Sequence, residues 1–499
     1  MLALPPSRRW LAPLAIGVAL ALTGCSSLGD GGTSPESSKK AAKGGQNSAE
    51  QSPTKAPAAF ATIDQKLLPS STAQLTTEGI KVTNILPTRE MPGLAYGLDI
   101  VRGKVLRQHS WAGGGELGLT SKVIASSSKA VGVATTTTGK PGANTAVVWY
   151  DPQTNAVFNS NALINPTKRT QLAELVGEAA GDQAAEAKTQ LGKAPYPNGE
   201  GPSIGFNAEG DLIVVFQTVG GKQLNPVSVP ADKAAAVLTE FGIRAKAATQ
   251  FPTEASTPAT FTAVTPAAVG GMGKNTPSIA VGTDCTRVKC VALTFDDGPV
   301  PQTADLLETL KQHKVPATFF LLGTSVDNFP KMVTKTAAAG MEIASHNQVH
   351  NQMNATGQER LGRQVAMSRT NIRKLAGQDP LFLRPPYGAH NKASDAITGK
   401  NGMAVALWSV DTLDWKYSQN APGDAQAKIL STLGQQIGNG GVVLMHDIHA
   451  NSRASAAAVI GKLKSDGYTL VSLAELAPTQ YRYGRPFCAS PALSKECGI

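Results

Sequence analysis

The feature that most constrains this chain is a regular alternation of short apolar runs with helix-like stretches, which starts at Val291. Continuously apolar strands that alternate with helices are typical of a parallel sheet covered by helices. Seven such units in about 190 residues favour a distorted (β/α) barrel, with a doubly wound open sheet as the alternative. The predicted strands are 291–296, 317–322, 342–345, 381–384, 403–410, 442–444 and 468–472, and the predicted helices are 302–311, 330–339, 358–375, 424–437 and 452–463.

The chain before the barrel has a different pattern. Residues 60–250 contain apolar runs interrupted by two helix-like stretches, which predicts a smaller α+β domain of unknown role. Residues 251–283 are rich in Pro, Thr and Ala, a composition typical of an inter-domain linker, so the barrel domain would occupy 284–499. Hydrophobic residues make up 41% of the 499 residues and charged residues 16%, which excludes a wholly disordered protein.

The amino terminus predicts export. Arg8 and Arg9 precede a short apolar stretch that is typical of a secretory signal peptide and too short to span a bilayer. The residues from Leu22 to Cys25 resemble the bacterial lipobox, which implies a signal peptide of 1–24 and a lipidated Cys25. Acyl chains would hold the protein on the outer face of the cell membrane, and residues 25–59 would form a flexible tether. An ordinary signal peptide is the alternative, and the export route, Sec or twin-arginine, stays open.

Cysteine use and charge agree with an exported protein. Apart from Cys25, the cysteines form two close pairs, Cys285 with Cys290 and Cys488 with Cys497, which predicts two local disulfides. A metal site is the rival interpretation, but neither pair has zinc-finger spacing. The net charge of +10 is spread along the chain without a compact basic stretch, which argues against nucleic acid and fits an anionic surface such as a cell wall.

Unusual polar residues follow the predicted strands at their carboxyl ends. In α/β barrels these ends form the active face, so the side chains should converge. Scattered surface residues would not collect at one end of consecutive strands. These polar residues are Asp296, Asp297, His346, Arg384, Asp411, Asp414 and His446.

Some of these residues point to a metal hydrolase. His346 and His350 are four residues apart, so on a helical turn they would share one face and could bind one cation. Two histidines and one carboxylate are a recurrent catalytic-metal set that leaves a position open for water. Asp297 is the natural third ligand, which leaves its neighbour Asp296 free to act as a base.

Residues 291–473 resemble carbohydrate esterase family 4, the NodB-homology polysaccharide deacetylases. The five family motifs occur in order, which makes the resemblance highly specific. They are Thr294-Phe295-Asp296-Asp297-Gly298-Pro299, His346 with His350, Arg384-Pro385-Pro386-Tyr387-Gly388, Asp411-Thr412-Leu413-Asp414-Trp415 and Leu444-Met445-His446-Asp447.

The resemblance implies a mechanism. A divalent metal, zinc or else cobalt, would bind to Asp297, His346 and His350 and activate a water molecule. Asp296 would accept the proton of that water, and His446 would protonate the departing amine.

The resemblance also implies supporting roles. Arg384 would pair with the base, and Asp414 would orient the acid. The backbone N–H of Tyr387 would hold the oxyanion, and Trp415 with Leu444 would line the acetyl pocket.

Three points stay open after these assignments. Asp411 is the alternative to Asp414 as the partner of His446. His390 and His449 are expected near the site or on the surface without binding metal. Asn347 stands where the family usually has Ser or Thr, and its amide is expected to brace the same loop.

The predicted location selects among the polysaccharides on which the family acts. A lipid-anchored bacterial protein has peptidoglycan as its nearest polysaccharide, which predicts deacetylation of peptidoglycan N-acetylglucosamine. Chitooligosaccharide deacetylase is the second choice, followed by muramic-acid deacetylase and acetylxylan esterase. An inactive wall-binding or sensing lipoprotein is the alternative from another class, and the complete set of metal ligands, base and acid argues against it.

Overall fold

The structure is a computed structural model that describes residues 58–77, 79–139, 142–261, 276–477, 484 and 486–488. The predicted signal peptide, Cys25 and nearly all of the predicted tether lie outside these residues. So do the middle of the predicted linker and Cys497. In the described part of the chain, helices long and apolar enough to cross a membrane are absent.

The described residues from 58 to 261 form a smaller α+β part with two sheets. Its strands are β1 Ser70–Thr77, β2 Ile80–Pro87, β3 Leu117–Ser126, β4 Val131–Gly139, β5 Asn144–Asp151, β6 Ala156–Phe158, β7 Ser203–Phe206, β8 Leu212–Val215 and β9 Val227–Val229, and its helices are α1 Pro92–Trp111, α2 Arg169–Ala180, α3 Ala184–Leu191, α4 Ala231–Ala234 and α5 Glu240–Gln250. One sheet has the order β1-β2-β3-β4-β5-β6, with only β2 and β3 parallel, and the other is an antiparallel sheet β7-β8-β9. The predicted α+β class is confirmed.

The long helix α1 is missing from the sequence prediction. It contains three glycines, which lower intrinsic helix propensity. A Cβ at Gly93 would lie 2.2 Å from the carbonyl oxygen of Asn155, and one at Gly97 would lie 2.8 Å from Val148 Cγ1. The glycines therefore allow the helix to approach β5 and β6 closely, and packing offsets their poor propensity.

The described residues from 290 onward form a parallel sheet with helices around it. Its strands are β10 Cys290–Asp296, β11 Thr318–Leu321, β12 Glu342–Ser345, β13 Phe382–Leu383, β14 Ala404–Ala406, β15 Val410–Asp411, β16 Gly441–His446, β17 Thr469–Val471 and β18 Pro486–Phe487, and its helices are α6 Thr303–Gln312, α7 Gly323–Asn328, α8 Pro330–Ala338, α9 Gln358–Ala376, α10 Lys392–Lys400, α11 Pro422–Gln436, α12 Ala450–Ser465 and α13 Leu473–Leu476. The strand order is β15-β16-β10-β11-β12-β13-β14-β18, with β17 beside β10. This curled parallel sheet confirms the distorted barrel.

The single strand predicted over 403–410 is wrong, because this run forms two strands. β14 and β15 lie near opposite ends of the strand order. At the end of β14, the carbonyl oxygens of Ala406 and Leu407 accept hydrogen bonds from the buried guanidinium of Arg384, at 3.3 and 3.1 Å. These hydrogen bonds tie the end of β14 to Arg384, which directly follows β13.

The α+β part packs against the amino-terminal ends of the parallel strands. Arg107 of α1 donates to the carbonyl oxygen of Gly340, just before β12, at 2.8 Å. The ring of Tyr96 meets that of Phe382, the first residue of β13, edge to face at 5.5 Å. Apolar side chains from both parts belong to one continuous core. The carboxyl-terminal ends of the strands are therefore left for a functional site.

The described ends of the predicted linker are hydrogen-bonded to the α+β part. The backbone N–H of Ala255 donates to the carbonyl oxygen of Leu67 at 2.7 Å. On the other side of the gap, the amide of Asn198 donates to three successive carbonyl oxygens, those of residues 280–282. The predicted disulfide between Cys285 and Cys290 is present. Cys488 is also disulfide-bonded, and Cys497, its expected partner, lies outside the described residues.

Candidate metal centre and active site

The site begins where two neighbouring strands end. β10 and β16 run parallel, and their last residues, Asp296 and His446, lie side by side in register. Asp297 follows β10 with a φ of 74°, in the left-handed region where Asp is among the few residues found with some frequency. The turn sends the two adjacent carboxylates in different directions, so one can bind a metal while the other stays beside His446.

Asp297, His346 and His350 form a group that fits a metal ion. Their ligand atoms all lie within 4.8 Å of one another. Asp297 Oδ1 lies 3.4 Å from His346 Nε2 and 3.3 Å from His350 Nε2. This oxygen is buried and has no hydrogen-bond donor among the described residues, as expected for an atom that binds a cation. Two histidines and one carboxylate are a set that can bind a divalent metal ion.

Hydrogen bonds orient the ligands of this group. His346 Nδ1 lies 2.8 Å from the carbonyl oxygen of Arg384, which fixes the proton on Nδ1 and leaves the Nε2 lone pair for a metal. Burial raises the pKa of Asp297, but the nearby His346 and the positive charges that His346, His446 and His350 carry when protonated lower it to about 2. Burial lowers the pKa of His350. A deprotonated aspartate and neutral imidazoles are the forms that bind metal.

The predicted helical turn between His346 and His350 is wrong. These residues form an irregular loop, and Asn347 has a φ of 63°. Its amide donates to the carbonyl oxygen of Val349 and to Gln364 Oε1, both at 3.2 Å. Asn accepts the left-handed conformation better than most residues, and its amide replaces the hydrogen bonds that a helix would have made. The side chain therefore braces the loop, as expected from the sequence.

Asp296 is held by a buried guanidinium. Arg384 Nη1 donates to Asp296 Oδ1 at 2.7 Å and to Thr294 Oγ1 at 2.9 Å. The guanidinium carbon lies 3.9 Å from the ring centre of Phe320, so an aromatic face covers the cation. The predicted pair of Arg384 with Asp296 is present. The guanidinium thus fixes the position of the carboxylate beside the metal group.

His446 is paired with Asp414. His446 Nδ1 lies 2.9 Å from Asp414 Oδ1, and the backbone N–H of His446 donates to Asp414 Oδ2 at 2.7 Å. Burial lowers the pKa of His446, but the hydrogen bond and charge of Asp414, with Asp296 and Asp297, raise it to about 9. Asp411 instead accepts from the backbone N–H of Leu413 at 2.9 Å. Geometry thus selects Asp414 over Asp411.

The three residues predicted to contact the substrate lie in different environments. Tyr387 has a φ of 62° and a side chain that is 63% exposed, with its ring 4.5 Å from that of His350. Trp415 is 45% exposed, so it is a surface residue rather than part of the core. Leu444 is buried, and its carbonyl oxygen accepts from Thr412 Oγ1 at 2.8 Å. Their roles toward a substrate stay predictions.

Two further histidines lie outside the metal group. His390 Nδ1 is paired with the carboxylate of Asp395 at 3.1 Å. The ring of His449 lies 5.8 Å from that of His446. Among the described residues, the only group close enough to hold a metal is that of Asp297, His346 and His350.

Asp447, for which the sequence predicted no role, lies next to the site. This carboxyl group is fully buried. Burial raises its pKa to about 7, and the charges of Asp297 and Asp296 act in the same direction, against a hydrogen bond from Thr303. The available signal was its position directly after His446. A charged residue at the end of an otherwise apolar strand does not contribute to the apolar core, so its presence there indicates a functional site.

The family model and the known proteins that are similar to this chain are all named as deacetylases. The polysaccharide deacetylase family model matches residues 283–406. The peptidoglycan-N-acetylglucosamine deacetylase PgdA of Listeria monocytogenes is 38% identical over 200 residues, which are 40% of this chain and 41% of that protein. A peptidoglycan-N-acetylglucosamine deacetylase of Bacillus cereus is 36% identical over 201 residues, 40% of this chain and 72% of that protein. A chitooligosaccharide deacetylase of a Bradyrhizobium strain is 37% identical over 166 residues, 33% of this chain and 73% of that protein. The chain thus spans about two fifths of the length of the Listeria relative.

Proposed function

We propose that this chain, which belongs to the polysaccharide deacetylase family, hydrolyses the N-acetyl group of N-acetylglucosamine residues in peptidoglycan and releases acetate. One observation carries the proposal: Asp297, His346 and His350 lie within 4.8 Å of one another. Beside them stand a carboxylate held by Arg384 and an imidazole held by Asp414. A metal group flanked by one base and one acid is an arrangement that can hydrolyse an amide.

The chemistry divides among the residues of this site. When bound, zinc or cobalt would polarise the acetamide carbonyl and lower the pKa of water. Asp296 accepts the proton of the attacking water, and Arg384 holds that carboxylate in place at 2.7 Å. The backbone N–H of Tyr387 would donate to the oxyanion, a role that rests on the family resemblance. His446 donates a proton to the departing amine, which would otherwise be too basic to leave.

The protonation states suit these roles. The pKa of Asp297, about 2, keeps this ligand ionised over the physiological range. The pKa of His446, about 9, keeps its imidazole protonated at neutral pH, as a general acid must be. Because Asp414 is the partner that raises the pKa of His446, its carboxylate sets the pH up to which the acid is charged.

Peptidoglycan is the substrate that the relatives and the sequence support together. The Listeria and Bacillus relatives are named for N-acetylglucosamine in peptidoglycan. The lipobox-like segment ending at Cys25 would place the protein beside the cell wall. A chitooligosaccharide is the second candidate, favoured by the Bradyrhizobium relative at 37% identity.

Membrane anchoring through Cys25 belongs to the proposal. Lipidation would fix the chain to the outer face of the cell membrane, since two or three acyl chains anchor a protein stably. Cys25→Ser should release the protein from the membrane fraction or leave its signal peptide uncleaved. A membrane fraction and processing equal to wild type would contradict the lipid anchor without bearing on the deacetylase activity.

Acetate release tests the proposed function. The purified protein is incubated with peptidoglycan, chitooligosaccharide and acetylxylan, with zinc and after chelation. We expect acetate from peptidoglycan at the highest rate, loss of activity on chelation and recovery with zinc. Faster release from chitooligosaccharide would make that the substrate. Absence of acetate from all three in the zinc-loaded protein would contradict the deacetylase and favour a wall-binding protein.

A further inference from the structure

Asp447 connects the strand that carries the acid with the turn that carries a metal ligand. It directly follows His446 at the end of β16, and its side chain is fully buried. Asp447 Oδ2 accepts a hydrogen bond from Thr303 Oγ1 at 2.6 Å. Thr303 Oγ1 in turn accepts from the backbone N–H of Val300 at 3.0 Å. Two hydrogen bonds therefore link the end of β16 to the turn after Asp297.

The carboxylate of Asp447 also packs against Gly298, the residue after Asp297. A Cβ at Gly298 would lie 2.3 Å from both Asp447 oxygens, so only glycine leaves room for them. The other side of the turn is held as well. The carbonyl oxygen of Gly298 accepts from the backbone N–H of Leu322 at 3.0 Å, and that of Asp297 accepts from Ser325 Oγ at 3.1 Å. The turn is thus fixed from β11 and α7 on one side and from Asp447 on the other.

We propose that Asp447 is a positioning residue, which sets the distance between the metal ligand Asp297 and the acid His446. This inference rests on the proposed deacetylase function, since it assigns Asp447 to the same site. Asp447 itself is not assigned to the metal, whose candidate ligands are Asp297, His346 and His350. It acts through Thr303 and Gly298.

The position of Asp447 explains why it affects catalysis rather than only folding. Its backbone continues directly from His446, and its side chain reaches the turn that follows Asp296 and Asp297. A shift of about 1 Å in a catalytic group can lower the rate about 100-fold. Residues that orient metal ligands typically change metal affinity about 10- to 100-fold when they are replaced. Loosening this link should therefore weaken metal binding and slow the reaction together.

Three substitutions test the link. Asp447→Ala removes the acceptor and the contact with Gly298, and should lower zinc affinity and kcat at least about 10-fold with little change in KM. Asp447→Asn keeps an oxygen for Thr303 and the same size, and should recover both values to within about threefold. Thr303→Val removes the hydroxyl at constant shape and should act in the direction of Asp447→Ala. The double variant Asp447→Ala with Thr303→Val should lose less than the sum of the two single losses, because both substitutions break the same hydrogen bond between Thr303 and Asp447.

A matched pair at the other end of the sheet provides the control. Thr318 Oγ1 donates to the buried carboxylate of Glu342 at 2.7 Å, at the amino-terminal ends of β11 and β12. Thr318→Val removes the same kind of hydrogen bond far from the metal group. It should lower the Tm and leave zinc affinity and kcat unchanged.

The outcomes separate the positioning role from a structural one. If Thr303→Val and Thr318→Val lower the Tm alike and both leave zinc affinity unchanged, Asp447 has only a structural role. Zinc affinity and kcat within twofold of wild type in Asp447→Ala would also overturn the proposal. Zinc affinity is measured by titration without substrate. The inference therefore remains testable even if the wild-type protein releases no acetate and the proposed function fails.

Discussion

The two ends of the parallel sheet both bury carboxylates, but they do so in opposite ways. At the amino-terminal end, Glu475 accepts hydrogen bonds from Lys104 at 3.1 Å and from Arg107 at 3.4 Å, both on α1. At the carboxyl-terminal end, Asp297 lies among histidines, and its Oδ1 has no donor in the described part of the chain. We call the first the closed end, because permanent cations pair with its carboxylate. We call the second the open end, because its carboxylate belongs to a group that can hold a metal ion.

The same pKa arises from different causes at the two ends. Burial raises the pKa of Glu475, but Lys104 and Arg107 lower it to about 2. The pKa of Asp297 is also about 2, and there the lowering comes from histidines. Lys and Arg stay charged and hold a carboxylate permanently, whereas a histidine can give up its proton and bind a metal. A shifted pKa therefore does not identify a functional site until the partner that causes it is known.

Replacing a histidine at the open end should have the largest effect on zinc binding and acetate release. His346→Ala leaves two ligands, which seldom hold a catalytic cation, so zinc binding and acetate release should both be abolished. The zinc-free variant should stay folded, because the change removes one buried imidazole and its hydrogen bond to the carbonyl oxygen of Arg384 and leaves the apolar core intact. Elemental analysis and acetate release measure the outcome. Full zinc occupancy in this variant would show that the ligand set is wrong.

Replacing Asp414, the partner of His446 at the open end, should shift the pH dependence of kcat. Asp414→Asn removes the charge that raises the pKa of His446 to about 9, so that pKa should fall toward the ordinary value of 6.5. Because the proposed mechanism requires the protonated imidazole, the alkaline limb of kcat should move to lower pH. The rate at pH 8 should fall about 10- to 100-fold. Asp411→Asn is the control, and it should leave the limb in place; an equal shift in both variants would contradict the pairing.

Replacing Glu475 at the closed end should lower the free energy of unfolding and leave the activity unchanged. Glu475→Gln leaves Lys104 and Arg107 beside a neutral amide and should cost about 3 kcal/mol in free energy of unfolding. Because the folded pKa of Glu475 lies below its unfolded value, its contribution is present above about pH 4.5 and is lost as the pH falls toward 2. The difference between variant and wild type should therefore shrink in acid.

Urea unfolding at several pH values measures this effect. The exposed ion pair of Glu200 with Lys193 supplies the control, since Glu200→Gln should cost less than about 1 kcal/mol. Zinc affinity and kcat should equal those of wild type in both variants. A loss of zinc binding in Glu475→Gln would show that the two ends of the sheet are coupled. It would contradict the assignment of stability to one end and metal binding to the other.

Replacing Asn347, in the loop between the candidate ligands His346 and His350, should have the smallest effect on zinc affinity. Asn347→Ser restores the usual family residue but places it at a φ of 63°, which costs about 1 kcal/mol outside Gly, Asn and Asp. Zinc affinity should fall a few-fold with activity retained. Asn347→Gly separates the causes, because it relieves the backbone and removes the amide. If both variants bind zinc as wild type does, the amide of Asn347 does not brace the loop.

Local sequence pattern was enough to predict most of the barrel. The apolar runs before Asp296, His346 and His446 lie where the structure has β10, β12 and β16, because a strand buried on both faces needs continuous apolar residues. Convergence of these polar residues followed from the rule that strand ends share one face. The metal group and the pairs of Arg384 with Asp296 and of Asp414 with His446 are accordingly present.

What the sequence could not predict depends on contacts between distant residues. Helix α1 is stable because its glycines meet β5 and β6, and nothing local signals that packing. The end of β14 is hydrogen-bonded to the guanidinium of Arg384, which is distant in sequence. The loop at Asn347 depends on Gln364 of α9. In each case a tertiary hydrogen bond or contact overrides local propensity.

The central claim is that Asp297 binds the metal while its neighbour Asp296 is the base. Zinc titration combined with acetate release on Asp297→Asn and Asp296→Asn tests it directly. Asp297→Asn should lose zinc affinity and activity, with partial recovery in excess zinc, because a neutral amide is a poor ligand for a dication. Asp296→Asn should keep its zinc affinity, lose about 10²- to 10⁴-fold in rate and show no recovery in excess zinc. Loss of zinc from Asp296→Asn with retention by Asp297→Asn would contradict the account.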